Sequence, residues 1–316
     1  MIACPKVSVC LTTYQRPQGL TRSLESILAQ DYSEFELIIS DDHSSDETEQ
    51  ICKAYVARDK RVRYSRNASN LKMPGNLNAA ISMARGEYIA NLHDGDVYRP
   101  DLIAQWAAAL DRYPTAAFVF NALEVLNADL SHRQYHLHPY PPLLPGSQLL
   151  DDMLNRWDSP VWGTVMARRS AYESAGPFDE RFGFLSDIDM WMRLALRHDV
   201  AYLREPLISI TPRESDHPYA FVSWELNSIL EDLHRINLER RYGSAPEELA
   251  RALRVMRRRR DRYWIRCELL CLKHSRWSTF ARGLQSFRSS DSPLLRAIGC
   301  LGWAFSTRPK KDSAQS

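Results

Sequence analysis

Asp94-Gly95-Asp96 is the sharpest chemical element in this sequence. Two carboxylates one residue apart, with glycine between them, let the backbone turn so that both face one hard divalent cation. Mg²⁺ and Mn²⁺ prefer such oxygen ligands and usually complete their shell with substrate phosphates. The spacing is not that of a calcium loop, since no further oxygen ligands follow at EF-hand intervals and no glutamate closes it. Two more polar groups stand where apolar runs stop. Thr12-Thr13-Tyr14 follows the run at 7–11, and Asp41-Asp42 follows the run at 35–39.

The elements around these residues decide whether they can meet. The first 120 residues alternate strand-like and helix-like segments, the pattern of an α/β domain with a parallel sheet. Strands are predicted at 7–11, 35–39, 62–64 (an edge strand), 87–92 and 116–120. Between them, Leu20, Leu24, Ile27 and Leu28 mark one face of a helix that follows Pro17. Asp46 with Glu49 reads as a capping-box start, and a helix over 75–85 is ended by Gly86. Pro100 lies in the first turn of a helix that buries Leu102, Ile103, Trp106 and Leu110. In open α/β sheets ligands bind outside the carboxyl ends of the strands. Parallel strands put those ends on one rim, so the three polar groups converge on one crevice. Taken singly, each aspartate could merely cap the next helix.

From 121 to 150 the pattern dissolves. His132, His136 and His138, set among Pro139, Pro141, Pro142 and Pro145, read as a proline-rich surface loop rather than a metal cluster. A helix near 147–156, a strand near 161–167, a loop at 176–182, a helix over 187–197 and strands at 200–203 and 206–210 follow. Trp162 and Trp191 are read as core aromatics, with an acceptor wall as the alternative. Beyond 223 the chain is helical and basic, with a helix starting at Ser244-Ala245-Pro246-Glu247 that carries Leu249, Leu253 and Met256 on one face. Residues 308–316 read as a disordered polar tail.

With 44% hydrophobic and 25% charged residues, the 316-residue chain has the composition of an ordinary soluble globular protein. No run of about 18 apolar residues suggests a membrane span. The first six residues lack a signal peptide's character, and the six cysteines show no metal-ligand spacing, which fits core thiols in a reducing cytoplasm. The net charge of +2 hides an asymmetry: residues 1–223 carry a net −7 and residues 224–316 a net +9. Either the basic part docks on an anionic membrane face through Arg257 to Arg260 with Trp264, Trp277 and Trp303, or it packs on the acidic catalytic part of the chain or mediates dimer contacts.

Over residues 7–217 the chain resembles the family 2 glycosyltransferases of the GT-A fold. The matching text is Val7-Ser8-Val9 with Thr13-Tyr14, then 38–46 (Ile-Ile-Ser-Asp-Asp-His-Ser-Ser-Asp), Asn78, and Ala84-Arg85-Gly86-Glu87-Tyr88-Ile89. After these come Asp94-Gly95-Asp96, Gly176-Pro177-Phe178-Asp179-Glu180 and Ser186-Asp187-Ile188-Asp189. The resemblance implies a GT-A, Rossmann-like, mostly parallel sheet flanked by helices, with a C-terminal helical extension. It divides the chain into a nucleotide-sugar half (1–120), an acceptor half (121–222) and a basic helical extension (223–307).

It also implies roles. Thr12, Thr13, Tyr14 and Asp42 would hold the nucleotide base. Asp94 would contact ribose or metal, Asp96 and His217 the metal, and Lys72 and Arg213 the diphosphate. Asp187 matches the aspartate of the family's base motif, with Ser186 in place of the preceding glutamate. Inverting transfer is a single displacement, so a carboxylate in reach of the acceptor hydroxyl should take its proton. The implied activity moves a sugar from a nucleotide-diphosphate sugar, a UDP-sugar favoured, to a glycan or lipid-linked glycan with Mg²⁺ or Mn²⁺. The expected setting is bacterial surface polysaccharide or glycolipid synthesis in the cytoplasm or at the inner face of the membrane, with no nucleic-acid partner. A sugar-phosphate nucleotidyltransferase should show a glycine-rich phosphate loop after the first strand, where Thr12 to Pro17 stands instead. A non-catalytic binding module of the same fold is the alternative reading.

Overall fold

Val7, Val9, Cys10 and Leu11 have no exposed surface, so β1 (Val7–Thr13) is covered on both faces, as a central parallel strand is. β2 (Phe35–Asp41) and β4 (Tyr88–His93) flank it in parallel, and β3 (Val62–Arg66) closes that edge beside β2. The register sets Thr13 beside Asp41 and Thr12 beside His93, which brings three strand ends level. The computed structural model describes residues 5–127, 129–155, 159–211, 224–273 and 277–306.

On the other side of β4 the sheet is mixed. β9 (Val165–Arg168) runs antiparallel between β4 and β6 (Ala116–Leu126), and β10 (Asp199–Ile210) lies parallel to β6. The strand order is β3-β2-β1-β4-β9-β6-β10-β5, with β5 (Val97–Tyr98) and β8 (Leu143–Leu144) antiparallel to β10. The helix α5 (Gly146–Asn155) precedes β9, and α6 (Arg169–Ala175) follows it. Leu20, Leu24 and Ile27 of α1 (Pro17–Leu28) join Leu102, Ile103, Trp106 and Leu110 of α4 (Leu102–Arg112) over Val7, Val9 and Leu11 in one core. Burying each such aliphatic side chain is worth about 1.5–3 kcal/mol, so these spaced leucines hold the strand ends in place.

Several elements differ from the sequence reading. Residues 121–126 and 132–136 are not a loop: β6 continues to Leu126, and β7 (His132–His136) pairs with it antiparallel, with His132 Nδ1 2.9 Å from Glu124 Oε1. The β7 side chains are mostly exposed, which is why no apolar alternation announced the strand. α2 (Thr48–Arg58) begins two residues after Asp46, whose Oδ1 accepts from the Thr48 N–H. α3 (Lys72–Ser82) starts and ends three residues early, so Gly86 does not cap it; the Gly86 N–H donates instead to Ser8 Oγ at 2.8 Å. The two closing strands are one, β10, with irregular register between Leu203 and Pro206. Trp191 is core, as expected, but Trp162 is 40% exposed.

The chain divides into two compact units, Met1–Met153 with Asp158–Glu214, and Leu154–Trp157 with Ser215–Ser316. In the second, α8 (Trp224–Tyr242), α9 (Pro246–Lys273), α10 (Trp277–Gly283) and α11 (Pro293–Ser306) are helical as read. Arg260 is fully buried there. Its Nη2 meets Asp261 Oδ1 at 2.9 Å and the Ser289 carbonyl at 3.0 Å, its Nη1 pairs with Glu231, and its guanidinium lies 4.6 Å from the Trp264 ring centroid. The run at 257–260 is therefore not a uniform surface, and Trp264 (2% exposed) is core. The Trp303 side chain and residues 308–316 lie outside the described residues.

Candidate active site

The turn after β4 is built by α1. Gly95 sits at φ +96°, a conformation that side-chain-bearing residues rarely adopt, and a Cβ there would fall 2.5 Å from Arg16 Cζ. Its N–H donates to Ser23 Oγ at 2.8 Å, and Ser23 Oγ donates to the Asp96 carbonyl at 2.8 Å. Arg16 Nη1 donates to the Asp94 carbonyl at 2.6 Å and stands 3.4 Å from Asp94 Oδ1. Thr13 Oγ1 donates to Asp94 Oδ2 at 2.9 Å, which ties the end of β1 to the end of β4. Asp94 and Asp96 are both buried.

Asp42 lies just past β2 and is buried too. Its Oδ1 accepts from Asn67 Nδ2 at 3.0 Å and from the Leu71 N–H at 2.7 Å, so one oxygen holds the loop that leads to α3. Asp41 is used structurally: its Oδ1 accepts from the Ser44 N–H and its Oδ2 from the Tyr64 hydroxyl. Thr12 is partly buried and Tyr14 exposed. Lys72 opens α3 at φ +63° with an exposed side chain. Arg213 and His217 lie outside the described residues.

Asp187 is the second residue of α7 (Ser186–Ala195), where its Oδ1 accepts from the Ile188 N–H at 2.7 Å. Ser186 does not cap this helix; Leu185 occupies the cap position, and Ser186 Oγ lies 3.9 Å from Met73 Sδ. Burial pushes the Asp187 carboxyl up to about 7, against the opposing pull of the Ile188 N–H and its own. Gly163 shows where this carboxylate lies. At φ +84°, a Cβ on Gly163 would stand 3.1 Å from Asp187 Oδ2 and 2.8 Å from His93 Cε1. The carboxylate and the imidazole thus both close on one point, and His93 is the residue before Asp94.

The structure therefore brings Thr13, Asp42, Asp94, Asp96 and Asp187 to the carboxyl ends of the first unit's strands. Arg16 and His93 belong with them and were missed. Neither had a sequence signal: Arg16 reaches Asp94 across 78 positions, and His93 follows the predicted strand at 87–92 with nothing in its neighbours to mark a role. Among the described residues no group of three or more His, Cys, Asp or Glu side chains could hold a metal. Asp94 and Asp96 are hard oxygen donors, and two carboxylates fit Mg²⁺ or Mn²⁺ whose other positions are filled by phosphate and water.

The family profile described as Glycosyl transferase family 2 matches residues 8–176. EpsE of Bacillus subtilis (strain 168) is 32% identical over 192 residues, which is 60% of this chain and 66% of EpsE. The chain thus spans just under two thirds of that relative. Among solved structures, residues 1–349 of S. aureus TarS with UDP-GlcNAc align with a TM-score of 0.67 at 20% identity, covering 93% of this chain and 83% of that one. The mannosyltransferase PcManGT of Pyrobaculum calidifontis, with GDP-Man and Mn²⁺, aligns at 0.57 and 16% identity, covering 97% and 82%. At these identities both show the fold, a GT-A sheet with flanking helices. Because the profile spans more than half of its length, the chain belongs to glycosyl transferase family 2.

Proposed function

We propose that this chain is a metal-dependent, inverting glycosyltransferase that moves a sugar from a nucleotide-diphosphate sugar to an acceptor hydroxyl. The approach of Asp187 and His93 to one point at Gly163 carries the reading, because it sets a carboxylate beside the strand end that bears Asp94 and Asp96. Residues 1–120 would hold the donor and 121–222 the acceptor. Thr12, Thr13, Tyr14 and the second oxygen of Asp42 would receive the base. A UDP-sugar is favoured; TarS is described with UDP-GlcNAc and PcManGT with GDP-Man. Lys72 and Arg213 would serve the diphosphate.

The acceptor oxygen bonds to the anomeric carbon from the face opposite the diphosphate. The bond from that carbon to the phosphate oxygen breaks with its electron pair, and the acceptor proton passes to Asp187. A carboxyl near 7 is about half ionised at neutral pH, a balance suited to a base that must also let the proton go. Asp94 and Asp96, with His217, would hold Mg²⁺ or Mn²⁺, which offsets the charge gathering on the leaving diphosphate. Arg16 would fix the Asp94 carbonyl and turn meanwhile.

The acceptor in this reading is a growing surface polysaccharide or its lipid-linked precursor, met at the inner membrane face. No helix among the described residues is long and apolar enough to cross a membrane. Peripheral contact would fall to α9, where Ile265, Leu269 and Leu272 are exposed on one face beside Arg262, Arg266 and Lys273, with Trp277 64% exposed beyond them. The test of the whole reading is release of nucleoside diphosphate from a panel of nucleotide sugars, with Mg²⁺ or Mn²⁺ and with EDTA. Release from none of them would overturn it.

A further inference from the structure

We propose that Trp162 and His136 form a stacking platform for the acceptor's pyranose ring; this rests on the glycosyltransferase reading of the same site. Their rings are in tilted contact, with centroids 4.4 Å apart and planes inclined by 49°. His136 ends the β7 arm of the hairpin, and its Nε2 lies 2.8 Å from Gln134 Nε2. Trp162 stays 40% exposed, although the segment before it is held down. Val161 is buried, its N–H donates to Ser159 Oγ at 3.1 Å, and Ser159 Oγ donates back to the Val161 carbonyl at 2.9 Å. On its other side comes Gly163, held at φ +84° with no room for a side chain between His93 and Asp187. A large indole is thus presented to solvent between two restrained neighbours, one residue from the point that Asp187 reaches.

The chemistry of that position selects its ligand. The residues that would take the nucleotide lie at the ends of β1, β2 and β4. The group that meets Asp187 is the acceptor, because the base removes the acceptor's proton. A pyranose ring offers a flat face of C–H groups, and an aromatic ring is large, rigid and polarised to receive it, whereas a phosphate group would need cationic partners. The residue one position before the point that Asp187 reaches is aromatic, so it fits the sugar. Its part would be positioning: it holds the ring so that one hydroxyl points at Asp187 Oδ2.

The test uses saturation-transfer NMR on the full chain with UDP and Mg²⁺ present. The probes are the methyl pyranosides of glucose, galactose, mannose and N-acetylglucosamine at millimolar concentration. Saturation of the ring C–H protons of at least one pyranoside is expected for the native chain. Trp162→Ala should lower it at least fivefold, Trp162→Phe should keep most of it, and His136→Ala should reduce it. Should the alanine variant fail to fold, Trp162→Leu keeps apolar bulk without a ring and serves the same comparison. Saturation of none of the four pyranosides by the native chain, or undiminished saturation in the variants without the indole, overturns the platform. Titration with UDP and GDP, run in parallel, separates the two readings: failure to bind either sinks the donor assignment, whatever the pyranosides do.

Discussion

The Asn78 side chain and the Phe178 backbone exchange two hydrogen bonds across 100 positions: Asn78 Nδ2 donates to the Phe178 carbonyl at 2.9 Å, and the Phe178 N–H donates to Asn78 Oδ1 at 2.8 Å. One amide therefore closes α3 onto the loop that leads into α7. Arg193 holds the same loop from behind, its Nη2 donating to the Pro177 carbonyl at 2.8 Å. Asn78→Ala leaves both Phe178 groups without these partners, which should cost about 1–3 kcal/mol of stability. Chemical denaturation of the two proteins measures it, and an unchanged midpoint would show that the clamp is not energetically used.

Asp96→Asn keeps the volume and removes one of the two carboxylate charges. Transfer, or release of diphosphate, should fall at least 100-fold while the melting temperature stays near the native value. Full native activity in EDTA would refute metal dependence as directly as an active variant would.

For Asp187→Asn, turnover should drop about 100-fold or more with donor affinity nearly intact, since a base acts in the transition state. Native turnover should rise about tenfold per pH unit below the carboxyl's value near 7 and level off above it. Stability has its own sign. The folded value of about 7 stands above the ordinary aspartate value. Between the two, the unfolded chain releases the proton and the folded chain keeps it, so the native protein loses stability as pH rises through that window. The variant cannot ionise. It should melt with the native protein near pH 4 and above it at pH 8; a gap of the opposite sign would mean that the native carboxylate is held by a partner charge.

Gly95→Ala should inactivate more than it unfolds. The positive φ alone costs about 1–2 kcal/mol, and the new Cβ must also displace the Arg16 guanidinium. Arg16→Ala in the same chain removes the clash but not the backbone strain, so the double variant should be more stable than the two single losses sum to. Strict additivity in denaturation would show that the arginine moves aside freely.

Exposed Ile265, Leu269 and Leu272 give α9 a defined apolar face for a membrane, and Trp277 of α10 is exposed as well. Co-sedimentation with anionic liposomes should be strong at low salt, weaken as salt screens the arginines, and fall when Leu269 and Trp277 are changed to serine. No binding to anionic liposomes at low salt would leave the basic helices a packing role.

The strand ends were legible because each signal is local: an apolar run that stops at Thr12, Asp41 or Asp94 is visible in a few residues, and parallel pairing does the rest. Trp106 and Leu110 were readable as core by their helical spacing. What escaped was tertiary. Nothing near Arg16 says that its guanidinium will lie under Gly95, and nothing near Trp162 says that a hairpin arm will bring His136 to its face. The exposed pattern of β7 resembles a loop because neither of its faces is buried. Arg260 misled for the opposite reason: a run of four arginines looks like surface, yet one of them turns inward to Asp261 and Glu231.

The insertion of β9 between β4 and β6 has a consequence for the chain while it is being made. Synthesis runs from the N-terminus, so β4 and β6 emerge well before the strand that joins them, and β5 waits longer still for its partner in β10. Until then the nascent sheet carries open edges flanked by buried apolar strands, the kind of surface that pairs with other chains. A fragment ending near residue 120 would be caught in that state permanently. Residues 1–120 therefore do not close a sheet of their own, and the proposed donor half is not a folding division.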